Sequence, residues 1–391
     1  LPMSIEIPSQ TSDLRAVQSV VLQAFNLNSA HWHKLSTDVG EKNFRILRSG
    51  GDIVGALALF ESAQWFGGRS IPSVGVSCVA TALPHRGKGH GRRMLSSLID
   101  ELRERDVHLC TLYPSTDAFY HKLGWGHAGS RVERVLAQIP ISNTRSGLTI
   151  CELDPTQPVD FQEIQRLHLE RAARTCGAFS RSHGLWSRVF RRANASVRVY
   201  GIGKRDQLEG YVCAAQLQGS PHPLLFSDIV ALSPAATQAI WEIASMHRPT
   251  VGELRWLGSD RDPSTLHLAN DAWKIRHRCS WMLRPIHLVR ALEERGYAPG
   301  VRGELSLDIH DPLVADNCGL FTIQVEDGRA QIRRGGSGSI RLGIQALGTL
   351  YSGFLSATDL SRIGQLNGDQ RSIETANLMF SGPDPYCTDT F

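Results

Sequence analysis

The stretch Val79-Ala80-Thr81-Ala82-Leu83-Pro84-His85-Arg86-Gly87-Lys88-Gly89-His90-Gly91 runs from a strand-like apolar segment into a glycine-rich turn, and the residues after it open an amphipathic helix. Met94, Leu95, Leu98, Ile99 and Leu102 recur at helical spacing and predict a helix over 87–106 with one apolar face. The first turn of such a helix has backbone N–H groups without internal acceptors, and the helix dipole makes that end positive. An anion placed there meets both. Glycines at 87, 89 and 91 remove side chains that would block a diphosphate, while Arg86, Lys88, Arg92 and Arg93 add charge around it. Strand, R-x-x-G-x-G turn and helix together predict a phosphate-binding site.

Outward from this motif the chain alternates strand and helix patterns. Residues 14–25 carry apolar side chains at helical spacing, 44–47 and 53–60 read as strands around the turn Ser49-Gly50-Gly51-Asp52, and 74–81 and 107–112 read as further strands. This mixture predicts an α/β protein with helices layered on a sheet. A weak echo of the order hairpin, strand, helix appears over 197–247. There Ser233-Pro234-Ala235-Ala236-Thr237 stands where the first copy has its glycines, so the second copy is expected to keep the fold without the phosphate site. After Pro285 a helical run, strands over 303–309 and 319–325 and later helical segments predict a third, α+β unit. At 391 residues the chain exceeds one hydrophobic core, and the expected domains are 3–145, 146–284 and 285–391, with Leu1-Pro2 ahead of Met3 set aside as a remnant. The tail over 381–391 holds Pro383 and Pro385 and no helical period, so it is extended chain that must pack against something else.

The net charge of +4 is spread along the chain without a basic tail, which argues against nucleic acid as a partner. Eight cysteines at irregular spacing, with no C-x-x-C pair, predict reduced, mostly buried thiols and a cytoplasmic protein. No stretch reaches the roughly 18 apolar residues of a membrane span, so no membrane partner is expected. His31 and His33 flank Trp32 at strand spacing, but no third ligand lies at a convincing distance and no metal is expected. Gly201-Ile202-Gly203 reads as a hairpin turn, and Arg333-Arg334-Gly335-Gly336-Ser337-Gly338-Ser339 as a mobile turn. No G-x-S-x-G motif supports a serine hydrolase.

The motif over 79–91 resembles the acyl-CoA signature of the GCN5-related N-acetyltransferase (GNAT) superfamily, and Ala118-Phe119-Tyr120-His121-Lys122-Leu123-Gly124-Trp125 resembles its second signature. The whole layout, one active GNAT-like domain, one degenerate copy and a C-terminal unit similar to sterol carrier proteins, resembles the enhanced-intracellular-survival (Eis) acetyltransferases. That resemblance implies tandem GNAT-like domains, acetyl-CoA as cofactor, a small-molecule amine as substrate, aminoglycosides among the acceptors, and a homohexamer. It also implies roles. The backbone of Val79 and Thr81 would pair with the pantetheine arm, Arg86 through Arg92 would hold the diphosphate, and Ser115 would lie near the cofactor. Tyr120 would be the general acid, and the C-terminal carboxylate of Phe391 would take the amine's proton. Phe25 and Trp32 would line the substrate pocket, although both serve equally well as core residues.

Elementary chemistry agrees with such roles. An amine attacks a thioester only when unprotonated, negative charge develops on oxygen, and the thiolate must be protonated as it leaves. A terminal carboxylate, with an ordinary pKa of about 3.5, orients an amine or acts through water more readily than it serves as a strong base. The backbone N–H of Val79 is the candidate oxyanion donor. Around the pocket mouth the sequence offers Asn26, Leu27 and Asn28 after Phe25, and Thr390 before Phe391 with Asp389 one step away. That is few acids for a polycationic acceptor. Three readings therefore stand: a broad Eis-type amine acetyltransferase, a tailoring or self-resistance acyltransferase with another amine or a longer acyl donor, and a non-catalytic lipid-binding protein.

Overall fold

The structure is a computed structural model, and its described residues are 5–139, 145–192, 195–219, 222–268 and 272–391; Leu1 and Pro2 lie outside them. The first part of the chain forms β1 (Ile5–Glu6), α1 (Thr11–Phe25), α2 (Ser29–Val39), β2 (Phe44–Ser49), β3 (Asp52–Phe66), β4 (Arg69–Thr81), α3 (His90–Glu104), β5 (Leu109–Leu112), α4 (Asp117–His121) and β6 (Gly126–Leu136). Gly50 and Gly51, at φ of 62° and 91°, make the tight turn between β2 and β3 that the sequence places there. On α3 the predicted stripe is real: Met94, Leu95, Leu98, Ile99 and Leu102 are buried against the sheet. The helix starts at His90, later than the predicted Gly87, because Gly87 and Gly89 take left-handed φ values of 75° and 80°.

The middle part contains β7 (Ile150–Leu153), α5 (Pro158–Ala173), β8 (Phe179–Ser180), α6 (His183–Phe190), β9 (Arg191–Arg192), β10 (Ala195–Lys204), β11 (Gln207–Gln216), β12 (Pro223–Ala231), α7 (Pro234–His247), β13 (Glu253–Gly258) and β14 (Trp273–Pro285). Gly201-Ile202-Gly203 is not itself the hairpin turn: it lies inside β10, with a bulge at Ile202/Gly203, and the turn falls at Arg205-Asp206. A fourteen-stranded sheet follows the order β1-β2-β3-β4-β5-β14-β6-β13-β12-β11-β10-β7, with β8 on β3 and β9 on β10. β14 runs between β5 and β6 and ties the first two parts into one sheet. The sequence boundary at 284/285 therefore falls inside a strand, one whose last residues pair with the first domain's β5.

The last part is α8 (Leu288–Glu294), β15 (Gly303–His310), β16 (Gly319–Glu326), β17 (Arg329–Arg334), β18 (Ile340–Gly343), α9 (Ile344–Ser352), α10 (Ala357–Arg362), β19 (Leu366–Gly368) and α11 (Gln370–Met379). Its sheet has the order β17-β16-β15-β18-β19. Phe321, Ile323 and Val325 alternate inward on β16 while Gln324 and Glu326 face out, the pattern of a sheet with one wet face. One core joins Val17, Val21 and Phe44 of the first part to Leu307, Phe321 and Leu347 of the last. From α11 the tail leaves this unit as extended chain and returns to the first sheet, where the Ser130 amide donates to the Pro385 carbonyl and the Cys387 amide to the Ser130 carbonyl.

Candidate active site

β4 and β5 pair in parallel over a short register, Ser73 with Leu109 through Val76 with Leu112. β5 then ends and β4 continues to Thr81, so the two strands part and leave one edge of β4 open. Just past the divergence, β4 carries a bulge: Cys78 and Val79 together face Leu57 of β3, between the pairs Ala58–Ser77 and Ala56–Ala80. Cys78 holds a left-handed φ of 53° there, a conformation that costs a non-glycine residue of order 1–3 kcal/mol. The bulge re-aims the backbone of Val79 and Thr81 beside the opening.

The glycine turn closes one side of it. Arg86 Nε donates to the Thr81 carbonyl at 3.2 Å and ties the turn to the strand end. Gly89 is the N-cap of α3 and supplies no side-chain cap, and no amide over 87–92 donates to another protein group among the described residues. A side chain built at Gly87 or Gly89 would meet open space, so the left-handed backbone, not crowding, selects glycine there. Gly91 differs, since a Cβ would stand 3.3 Å from the Phe119 ring. Arg86, Lys88 and Arg92 are exposed around the turn; His90 is buried, and burial together with Arg93, His85 and Lys88 keeps its imidazole below the usual pKa. An open cradle of uncapped amides rimmed by cations fits the diphosphate of coenzyme A.

The opening has different side chains on its two faces. On the α3 face, Tyr120 is 4% exposed, with ring contacts to Phe119 and Trp125 at 5.0 and 6.3 Å. Burial raises its phenol pKa, and the neighbouring exposed Ser115 hydroxyl offsets part of that rise. On the other face, the Phe391 ring lies 5.3 Å from both Tyr113 and Phe179 and 6.2 Å from Phe60. A Cβ on Gly75 of β4 would come within 3.0 Å of it, so glycine makes room for the end of the tail.

The middle domain holds that tail. The Arg181 side chain, 1% exposed, donates from Nε to Asp389 at 2.6 Å and from Nη1 to Asp228 at 2.5 Å; Tyr211 donates its hydroxyl to Asp228 at 2.6 Å, and Arg171 adds an ion pair at 3.7 Å. Burial opposes charge on Asp228, but Arg181 and Arg171 overcome it and hold its carboxyl well below the usual range. For Asp389 burial prevails over Arg181 and raises the pKa. Arg188 Nη1 donates to the Thr390 carbonyl at 3.2 Å, and Tyr113 donates to the Asp389 carbonyl at 2.9 Å. None of Arg181, Arg188, Asp228 or Tyr113 announces itself in sequence, because no motif spaces them and only the returning tail brings them together.

The middle part of the same sheet repeats this strand layout with a different helix start. β12 pairs in parallel with β13 from Pro223 to Phe226 and then continues alone, with a bulge next to Asp228. There the helix start is closed: Ser233 accepts from the Ala236 amide and Pro234 follows it. Asp228 stands where the first copy has Cys78, and it is ion-paired with Arg181 and Arg171. A cavity of about 250 Å³ remains on this domain, lined by Phe226, Ile240, Trp241 and Trp256.

An acetyltransferase (GNAT) domain model matches residues 7–128, a second such model matches 177–285, and a sterol carrier protein domain model matches 288–388. The chain is a tandem GNAT acetyltransferase with a sterol carrier protein domain. An uncharacterized N-acetyltransferase of Streptomyces avermitilis is 25% identical over 320 residues, 77% of this chain and 76% of its own. The N-acetyltransferase Eis of Mycobacterium tuberculosis is 24% identical over 339 residues, 81% of this chain and 80% of its own. The crystal structure of a GCN5-related N-acetyltransferase from Anabaena variabilis superposes with a TM-score of 0.95 at 28% identity, covering both chains entirely. Acetyltransferases of this type use acetyl-CoA as acyl donor.

The strand reading of the histidine pair needs correction. His31 and His33 do not lie on a strand: Asn28 accepts from the His31 amide and starts α2 there, so the pair sits on a helix. Among the described residues no set of three metal-ligating side chains gathers there or elsewhere. Phe25 and Trp32 are also separated in kind, since Phe25 is 41% exposed at the end of α1 whereas the Trp32 ring packs 5.3 Å from Phe44 at the edge of the core. No helix among the described residues is long and apolar enough to cross a membrane.

Proposed function

We propose that this acetyltransferase N-acetylates a primary amine on a small molecule at the opening between β4 and β5, with Tyr120 and the Phe391 carboxylate as its proton-handling groups. One observation carries the reading: the uncapped start of α3 adjoins the open, bulged edge of β4, with Tyr120 on one face and Phe391 on the other. Backbone amides over 87–92, with Arg86, Lys88 and Arg92, would hold the diphosphate, and the backbone of Val79 and Thr81 would align the pantetheine as an added strand. Acetyl-CoA, when bound, supplies an acyl thioester to a nucleophilic nitrogen. Tyr120 keeps its proton on Oη through the neutral range because burial disfavours the phenolate, so it has a proton to give on the thiol side. The Val79 amide is the donor aimed at developing negative charge, and the Phe391 carboxylate orients the amine and takes its proton, directly or through water. Phe60, Tyr113 and Phe179 pack around the Phe391 ring and fix the position of the chain end.

The resemblance of the sequence motifs to the Eis family extends the proposal to aminoglycosides among the acceptors and to a homohexamer. A second reading, one particular amine as acceptor, is favoured by the acids near Phe391: Asp38 is committed to Arg188 and Arg191, and Asp389 and Asp228 to Arg181. Thiol release measured with acetyl-, propionyl- and longer-chain CoA against aminoglycosides and simpler amines tests both. Turnover of aminoglycosides at several amines supports the first reading, and turnover confined to another amine the second. A sedimentation mass of one 43.1 kDa chain would remove the hexamer.

A further inference from the structure

We propose that the acceptor is a small amine that also carries a carboxylate, held by Arg131 and Arg192. The proposal rests on the acetyltransferase reading above and concerns the charge around the tail that fills the acceptor face.

Both arginines neighbour residues that hold the last part of the chain. Arg131 follows Ser130, which hydrogen-bonds the tail on both sides of Tyr386, and it lies within electrostatic reach of Tyr113, whose ring touches Phe391 and whose hydroxyl donates to the Asp389 carbonyl. Arg192 comes just after α6, whose Arg188 donates to the Thr390 carbonyl and stacks 4.6 Å from the Phe60 ring. Arg192 and Arg131 are also within electrostatic reach of each other, with Asp228 and Glu133 within reach of Arg192 as well.

The acids nearby already have cationic partners. Asp38 serves Arg188 and Arg191, Asp228 and Asp389 serve Arg181 and Arg171, and Glu133 binds Arg276. Nothing is left for Arg131 and Arg192: the Nε of each is buried without a hydrogen-bond partner, and neither guanidinium forms an ion pair among the described residues. Lys34, close to Arg188 and Arg191, adds a further cation on that side. Even a terminal carboxylate on Phe391 supplies one negative charge against this pair. Like-charged guanidinium groups brought together out of water are unfavourable unless an anion joins them, and a carboxylate meets arginine in a paired geometry that a neutral group does not. A polycation would meet repulsion here. An amine with a carboxylate brings the missing negative charge and leaves its nitrogen free to face the opening at Val79. The aromatic walls would accept an apolar body between the two groups.

The test uses the full chain with matched pairs of compounds, phenylalanine against phenethylamine and lysine against cadaverine, with kanamycin alongside. Calorimetry on the CoA-loaded protein gives affinity, and thiol release from acetyl-CoA gives kcat/KM. The expected result is at least a ten-fold preference for the acid over its decarboxylated partner in one pair. Arg192→Gln and Arg131→Gln should each erase most of that preference through KM while leaving acetyl-CoA affinity unchanged, Arg192→Lys should restore part of it, and Arg192→Glu should shift it toward cadaverine. The proposal is overturned if cadaverine, phenethylamine or kanamycin is used as well as the acids, if no acid in the panel binds, or if Arg192→Gln keeps the preference in a protein of unchanged melting temperature. Failure of acetyl-CoA itself to bind would instead strike the reading of the site, so the two failures are separable.

Discussion

Replacing Arg181 by methionine removes one cation that two buried carboxylates share. Asp228 and Asp389 are 0% and 4% exposed, and among the described residues Arg171, 3.7 Å from Asp228, is the one ion-pair partner left to them. Breaking a buried pair by deleting one partner costs about 3–5 kcal/mol. An independent route gives the same size: protonating one stranded carboxyl at pH 7 from an ordinary pKa near 4 costs about 4 kcal/mol, at about 1.4 kcal/mol per pH unit. The cheapest relief is to let the tail go, because Asp389 leaves with it while Asp228 keeps Arg171 and Tyr211. A loss of that size would lower the closed-to-open ratio of the tail by about 10²- to 10⁴-fold. Arg181→Met should therefore lose hydrogen-exchange protection at Cys387 and lose kcat, with acetyl-CoA affinity held within about two-fold because α3 lies on the other face. Wild-type kcat together with wild-type protection of Cys387 in Arg181→Met would refute the reasoning that the middle domain anchors the end of the tail and that the proposed reaction needs it there.

Tyr120→Phe should lower kcat by about 10²-fold or more with little change in acceptor KM, and in the parent enzyme an alkaline loss of activity should lie above pH 10, since burial raises the phenol; a pH–rate profile of both proteins checks this. Gly75→Val places methyl groups where the Phe391 ring lies 3.0 Å from an added Cβ, so kcat should fall while calorimetric acetyl-CoA affinity stays constant. His168 is buried with Nε2 bonded to the Phe179 carbonyl at 2.8 Å, and burial, then Arg181 and Arg171, hold its pKa well below 6.5. A base whose folded pKa is depressed contributes stability that is full above about pH 6.5 and is lost as pH falls toward the folded value, by up to about 1.4 kcal/mol per pH unit. Urea unfolding of the parent at pH 7.5 and 5.5, against His168→Gln, should show the parent losing more of its stability between those two pH values.

The motif over 79–91 was readable because its physics is local: glycines at left-handed positions, a helix start and an apolar stripe all sit within one short stretch. The echo over 197–247 was readable for the same reason, as β10, β11, β12 and α7 each carry their own period. α2 was not, because Trp32 with its flanking histidines alternates like a strand and only the Asn28 cap marks a helix. The insertion of β14 between β5 and β6 leaves no trace in the order of elements along the chain. The bulge at Cys78 and the clamp of Arg181 on Asp389 are equally silent, since one is a register shift between strands and the other joins residues 208 positions apart.

Titration of acetyl-CoA into the parent chain and into Gly89→Glu reaches the central claim most directly. Gly89 faces open space at φ 80°, so the glutamate fits without a clash and adds about 1 kcal/mol of backbone strain, while its carboxylate enters the cradle of amides. Gly89→Asn, which tolerates the same backbone, controls for that strain. The account predicts a saturable heat for the parent, a similar affinity for Gly89→Asn within a few-fold, and at least a hundred-fold weaker binding for Gly89→Glu. Unchanged binding by a folded Gly89→Glu, or no heat with the parent, would contradict it.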